Sequence, residues 1–222
     1  MNSESSKTLG GIGAILILIG SLVTSYTFGV LDLIGVILVF IALNGLADYY
    51  KERGIFTNAI YSLVAGIVGI VAAAAAALYI IFDTTIVTSL LHKLYPTWNG
   101  SWTTISSFVG QTASTSNITT SDVTSVLGAL FLVLVVLWVF AIVAAFFARR
   151  SLKTLSSKAS VGLFSTAALL LIIGAFLTII FIGAILMWIA VLLIAIAFFQ
   201  IKPQPEQPPA TMAPPPSTPT PV

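Results

Sequence analysis

Long apolar runs, each near the length needed to cross a lipid bilayer, occupy most of this sequence. A bilayer's hydrocarbon core is about 30 Å thick and takes about 20 apolar residues in a helix. Such runs fall at Leu9 to Ser25, Val30 to Leu46, Ala59 to Phe82 and Val123 to Ala148. A last stretch, Val161 to Ile201, is too long for one crossing and suits two, with the turn expected near Thr178 to Gly183. A single tilted or broken helix there is the alternative, and it would put the tail on the other side. Only 7% of residues are charged, against about 25% in a soluble domain, so polar groups are too few to clothe a soluble core. The expected fold class is all-α: a polytopic membrane protein with six transmembrane helices as three hairpins. This domain covers residues 9–201, after an N-terminal segment 1–8 and before a disordered Pro-rich tail 202–222.

The nine basic residues give the orientation, because short cytoplasmic loops carry an excess of Lys and Arg. With six spans, Lys7, Lys51, Arg53, Arg149, Arg150, Lys153, Lys158 and Lys202 all fall on one side, and Lys93 alone on the other. Both termini are therefore expected in the cytoplasm. The opening MNSESSKTLGG has one Lys and no small-residue cleavage site after a short apolar core, so the first run is expected to stay as a membrane helix.

One long connection, Asp83 to Asp122, falls on the outer side, with 17 Ser or Thr in 40 residues. It reads as a polar loop. It holds two N-x-Ser/Thr triplets, starting at Asn99 and Asn117, the candidate glycosylation acceptors. Tyr95, Trp98 and Trp102 suit either this loop or the membrane interface, where amphipathic aromatics gather. The tail holds most of the ten prolines. It cannot build a helix interior, and it reads as a solubilising segment or a docking peptide.

Within the third span, Ala65, Gly69, Ala73 and Ala77 recur every fourth residue and form one ridge of small side chains. Such a ridge lets helix backbones approach closely, either inside the chain or between copies in a homo-oligomer. Gly10 to Gly13, Gly66 to Gly69 and Gly162 to Gly174 each place glycines in the first helix of an expected hairpin.

Signals for chemistry are few. The sequence has no cysteine and one histidine, His92, which leaves out thiolate catalysis, cysteine metal sites and two-histidine zinc sites. No ionisable residue lies in the middle of a span, where proton relays and ion sites are usually built. Neither a G-x-S-x-G elbow, nor H-E-x-x-H, nor a phosphate-cradling G-x-x-x-x-G-K is present. The expectation is a protein that is not an enzyme, with no catalytic, cofactor or metal residue. Its net charge of +2, without a basic stripe, argues against nucleic acid. Asn44 and Asp48, four apart on one helix face, are the candidate polar contact on the cytoplasmic side, for a headgroup, an ion or a neighbouring helix. Ser62, Ser165 and Thr166 are the hydroxyls available to line a polar path.

GVILVFIALNGLADYYKERGIFTNAIYSLVAGIVGIV, from Gly35 to Val71, together with the opening SKTLGGIGAILILIGSL, resembles the archaeal membrane-protein family catalogued as domain of unknown function 996. The resemblance implies a multi-pass membrane protein and carries no reaction, ligand or site residue with it. The leading functional expectation is a non-enzymatic structural or accessory component of a membrane complex. Its contacts would be membrane lipid and a protein partner or a second copy. The alternative is a small transporter or channel for an uncharged or small solute.

Overall fold

The computed structural model describes residues 3–82, 85–108 and 111–202. The Pro-rich tail beyond Lys202 lies outside the described residues. Among those residues the architecture is all-helical. Helices α1 (Ser3–Thr27), α2 (Val30–Tyr49), α3 (Arg53–Phe82), α5 (Thr120–Ala159), α6 (Gly162–Leu177) and α7 (Ile182–Phe199) are the long ones, and α4 (Thr85–Leu94) is short. The six long helices are each long and apolar enough to cross a membrane. Contact is densest within three hairpins, α1/α2, α3/α5 and α6/α7. The hairpins close into a ring, since α2 touches α3, α5 touches α6 and α7 touches α1.

Each hairpin crosses where a glycine removes a side chain. A Cβ on Gly13 would meet the Gly35 carbonyl oxygen at 2.7 Å, and one on Gly35 would meet that of Gly13 at 2.6 Å. In α3/α5, a Cβ on Gly69 would lie 2.4 Å from Phe140 Cβ. In α6/α7, a Cβ on Gly174 would lie 3.0 Å from the Gly183 oxygen. Lipid gives helices no hydrophobic reason to associate, so close backbone approach has to supply the attraction through dispersion. The glycines at these three crossings have that role.

Several helices outrun the apolar stretches that announce them. α1 starts at Ser3 rather than Leu9, so residues 3–8 are helix rather than a separate segment, and Ser6 is fully buried there. α3 starts at Arg53 rather than Ala59. α5 runs 40 residues, about 60 Å at 1.5 Å per residue, twice a bilayer core. Hydropathy marks only the part that suits lipid. The helix continues past it because Ser151, Leu152 and Leu155 pack into the bundle. The turn in the last stretch falls at Thr178–Ile180, a single 3-10 turn followed by Phe181 at φ 63°. This is where the length argument placed it.

The main core sits toward the end that carries the basic residues. Leu46, Ile55, Leu155, Phe164 and Phe198 are all 0% exposed, one or more from each of α2, α3, α5, α6 and α7. Phe164 and Phe198 meet edge to face at 5.2 Å, a geometry that suits the aromatic quadrupole. Toward the other end Leu22, Phe28, Phe82, Leu127 and Phe181 are exposed. In water such a belt would be an aggregation surface. In a bilayer it needs no protein cover.

The described residues of this connection, 85–108 and 111–122, are more ordered than a polar loop. α4 and a 3-10 helix, Trp102–Phe108, enclose Trp98, which is 3% exposed. Trp98 stacks near His92 at 4.9 Å and Trp102 at 5.7 Å, and Phe82 reaches Trp102 at 5.3 Å. Lys93 Nζ donates to both Asp122 oxygens, at 2.7 and 2.6 Å, tying α4 to the start of α5. Asp122 also completes a capping box with Thr119.

Candidate functional site

The residues that the sequence singles out do not converge on one site. Residues 50–52 form the tight turn between α2 and α3. Lys51, at φ 50°, stands where a helix C-terminus usually places glycine. Glu52 N–H donates to the Ala47 carbonyl at 2.9 Å and Lys51 N–H to that of Asp48 at 3.2 Å, the paired bonds of a Schellman motif. Asp48 is engaged by Arg53 at 3.2 Å, and Glu52 by Lys158 at 3.1 Å. The first pair is half exposed or more on both sides, so it contributes about 0–1 kcal/mol. The second joins the α2–α3 turn to the end of α5.

Asn44 is half-buried and lines an apolar groove between α2 and α3, beside Phe40, Phe56 and Ile60. Asp48 is exposed on the turn. The ridge faces α5: Gly69 and Ala73 are buried and Ala65 and Ala77 half-buried. Ala77 shares a lined space with Val126, Ala129 and Val133 of α5. Ser62 and Ser151 line a cavity of about 140 Å³ among α2, α3, α5, α6 and α7. Ser165 and Thr166 lie on the exposed outside of α6, apart from that cavity. Asn99 and Asn117 are both exposed, and the Asn99 side-chain oxygen accepts from Ser101 N–H at 3.0 Å and from the Thr104 hydroxyl at 2.9 Å. Among the described residues no group of three or more His, Cys, Asp or Glu comes together as a metal ligand set.

Two polar features were hidden from the sequence. The Ser151 hydroxyl, 1% exposed, donates to the Ile55 carbonyl at 2.6 Å across 96 residues. At the basic end, the start of α1, the end of α2, the α5–α6 turn and the end of α7 surround a cavity of about 840 Å³. Lys7, Ser160, Gln200 and Lys202 are the polar residues that line it, beside Tyr50. Only the lysine charges are visible in sequence, 195 positions apart (202 − 7).

Three hairpins of long apolar helices, closed into a ring over a core at one end, define an α-helical polytopic membrane protein. The family described as "Protein of unknown function (DUF996)" matches residues 31–192, and the chain belongs to it. The chain is also similar to the uncharacterized protein MJ1644 of Methanocaldococcus jannaschii, with 25% identity over 202 residues, covering 90% of this chain and 94% of that protein. No solved structure matches.

Proposed function

We propose that the protein is a non-enzymatic accessory component of a membrane complex, set in the plasma membrane with both termini in the cytoplasm. The observation that supports this reading is the packed apolar core that lies inward of the cavity at the basic end. Leu46, Ile55, Leu155, Phe164 and Phe198 close the bundle there, where an aqueous path would have to leave it. The basic residues of that end support the orientation. Gentle extraction from native membranes, followed by identification of stoichiometric companions, tests the role. A recurrent protein partner is expected, and recovery of the chain alone would refute it.

The second reading, a small transporter or channel, draws on the cavity at Ser62 and Ser151. Its volume of about 140 Å³ corresponds to a few waters at about 30 Å³ each. Solute flux into proteoliposomes above that of protein-free vesicles would favour this reading over the first. Exposure of Asn99 and Asn117 supports their use as glycan acceptors, which a mass shift lost on Asn99→Gln and Asn117→Gln would verify.

A further inference from the structure

The cavity at the basic end has a one-sided chemistry. Two lysines line it, Lys7 from α1 and Lys202 from the end of α7, and among the described residues no Asp or Glu does. Glu4, one helical turn before Lys7, accepts from Lys7 Nζ at 2.7 Å through a carboxylate whose side chain is 57% exposed. Tyr50, Ser160 and Gln200 complete the uncharged part of the wall. α6 begins on the same wall at Gly162, and its N-cap Val161 supplies no side-chain acceptor. A helix N-terminus carries partial positive charge. The volume, about 840 Å³, falls within the range of small-molecule sites, about 300–1,000 Å³. It is far larger than a single ion requires.

We propose that this cavity binds a phosphate-bearing anion, held by the ammonium groups of Lys7 and Lys202. The chemistry is shared by an anionic phospholipid headgroup and by a soluble phosphate compound. The site stands independently of the accessory role, since a protein of either proposed function can carry it.

The test uses the full chain in phosphatidylcholine nanodiscs, with lysine acylation followed residue by residue by mass spectrometry. One arm adds phosphatidylglycerol to the bilayer and the other adds pyrophosphate to the solution. In the arm that holds the natural source, acylation of Lys7 and Lys202 slows about tenfold once the ligand stands at about ten times its Kd. Lys153, exposed on α5 and outside the cavity lining, keeps its rate. Protection by phosphatidylglycerol alone assigns a lipid headgroup, and protection by pyrophosphate alone assigns a soluble ligand. Lys202→Met should weaken binding about tenfold. Lys153→Met removes the same charge from the same end and should leave binding unchanged. Protection in neither arm overturns the proposal. So does an equal loss on Lys153→Met and Lys202→Met, which would mean attraction by the whole basic face.

Discussion

Gly66→Ala and Gly69→Ala are the same chemical change, one helical turn apart on α3, and they should move stability in opposite directions. A methyl at position 69 would lie 2.4 Å from Phe140 Cβ and 3.0 Å from Phe140 Cγ. Carbon atoms rest at about 3.5–4.0 Å, so α3 and α5 would have to part by roughly 1 Å at their crossing. No rotamer of Phe140 relieves this, because a Cβ is fixed to its backbone. Overpacking of this kind costs about 1–3 kcal/mol. At Gly66 nothing lies within 4 Å of an added Cβ, and alanine in a helix interior is worth about 0.5–1 kcal/mol over glycine. The two variants should therefore differ by about 1.5–4 kcal/mol. Thermal or denaturant unfolding of the purified variants in one detergent, followed by circular dichroism, measures the difference. A second layer is more discriminating: Phe140→Ala keeps the offending Cβ and should not rescue Gly69→Ala, whereas Phe140→Gly should restore part of the loss. A Gly69→Ala variant unfolding with wild-type stability, or full rescue by Phe140→Ala, would refute the reasoning.

Three further outcomes are expected. Ser151→Ala should destabilise by about 1 kcal/mol, the net worth of one buried hydrogen bond, and wild-type unfolding of that variant would mean that the 2.6 Å contact with Ile55 contributes nothing. Lys93→Met should loosen α4, seen as faster amide exchange over residues 85–94. Asp122 sits ahead of the apolar stretch that begins at Val123, and hydrogen bonds from Lys93, then Thr119, lower its pKa to about 2. A carboxylate whose folded pKa is lowered contributes stability above its unfolded value and loses it as pH falls toward the folded one. The tie should therefore survive from pH 8 to pH 5, and loosening of wild-type α4 within that window would contradict it. Because the chain has no cysteine, Ser106→Cys and Ser157→Cys should label from opposite sides of intact cells. Ser106 and Ser157 are both exposed, and labelling of both positions from outside would contradict the orientation.

The sequence by itself determined the number of membrane-length helices, the pairing into hairpins and the turn before Phe181. Those properties follow from local quantities: the length of an apolar run against the thickness of a bilayer, and the distribution of charge along the chain. It also identified the glycines, but not which of them matter. Gly66 and Gly69 look alike in sequence, and only the position of Phe140, 71 residues further on (140 − 69), separates them. The helix ends were illegible for a similar reason. Past the lipid-matched stretch, α5 is stabilised by packing of Leu152 and Leu155 against residues of other helices, which hydropathy does not see. The Ser/Thr-rich connection read as a loop because its polar composition hides one buried tryptophan and one ion pair, Lys93–Asp122, between residues 29 apart. The cavity at the basic end is the extreme case. Its lining comes from four separate chain segments, and none of them carries a motif. Local physics places each helix in its medium, whereas a site made of helix ends exists only once the ring of hairpins has closed.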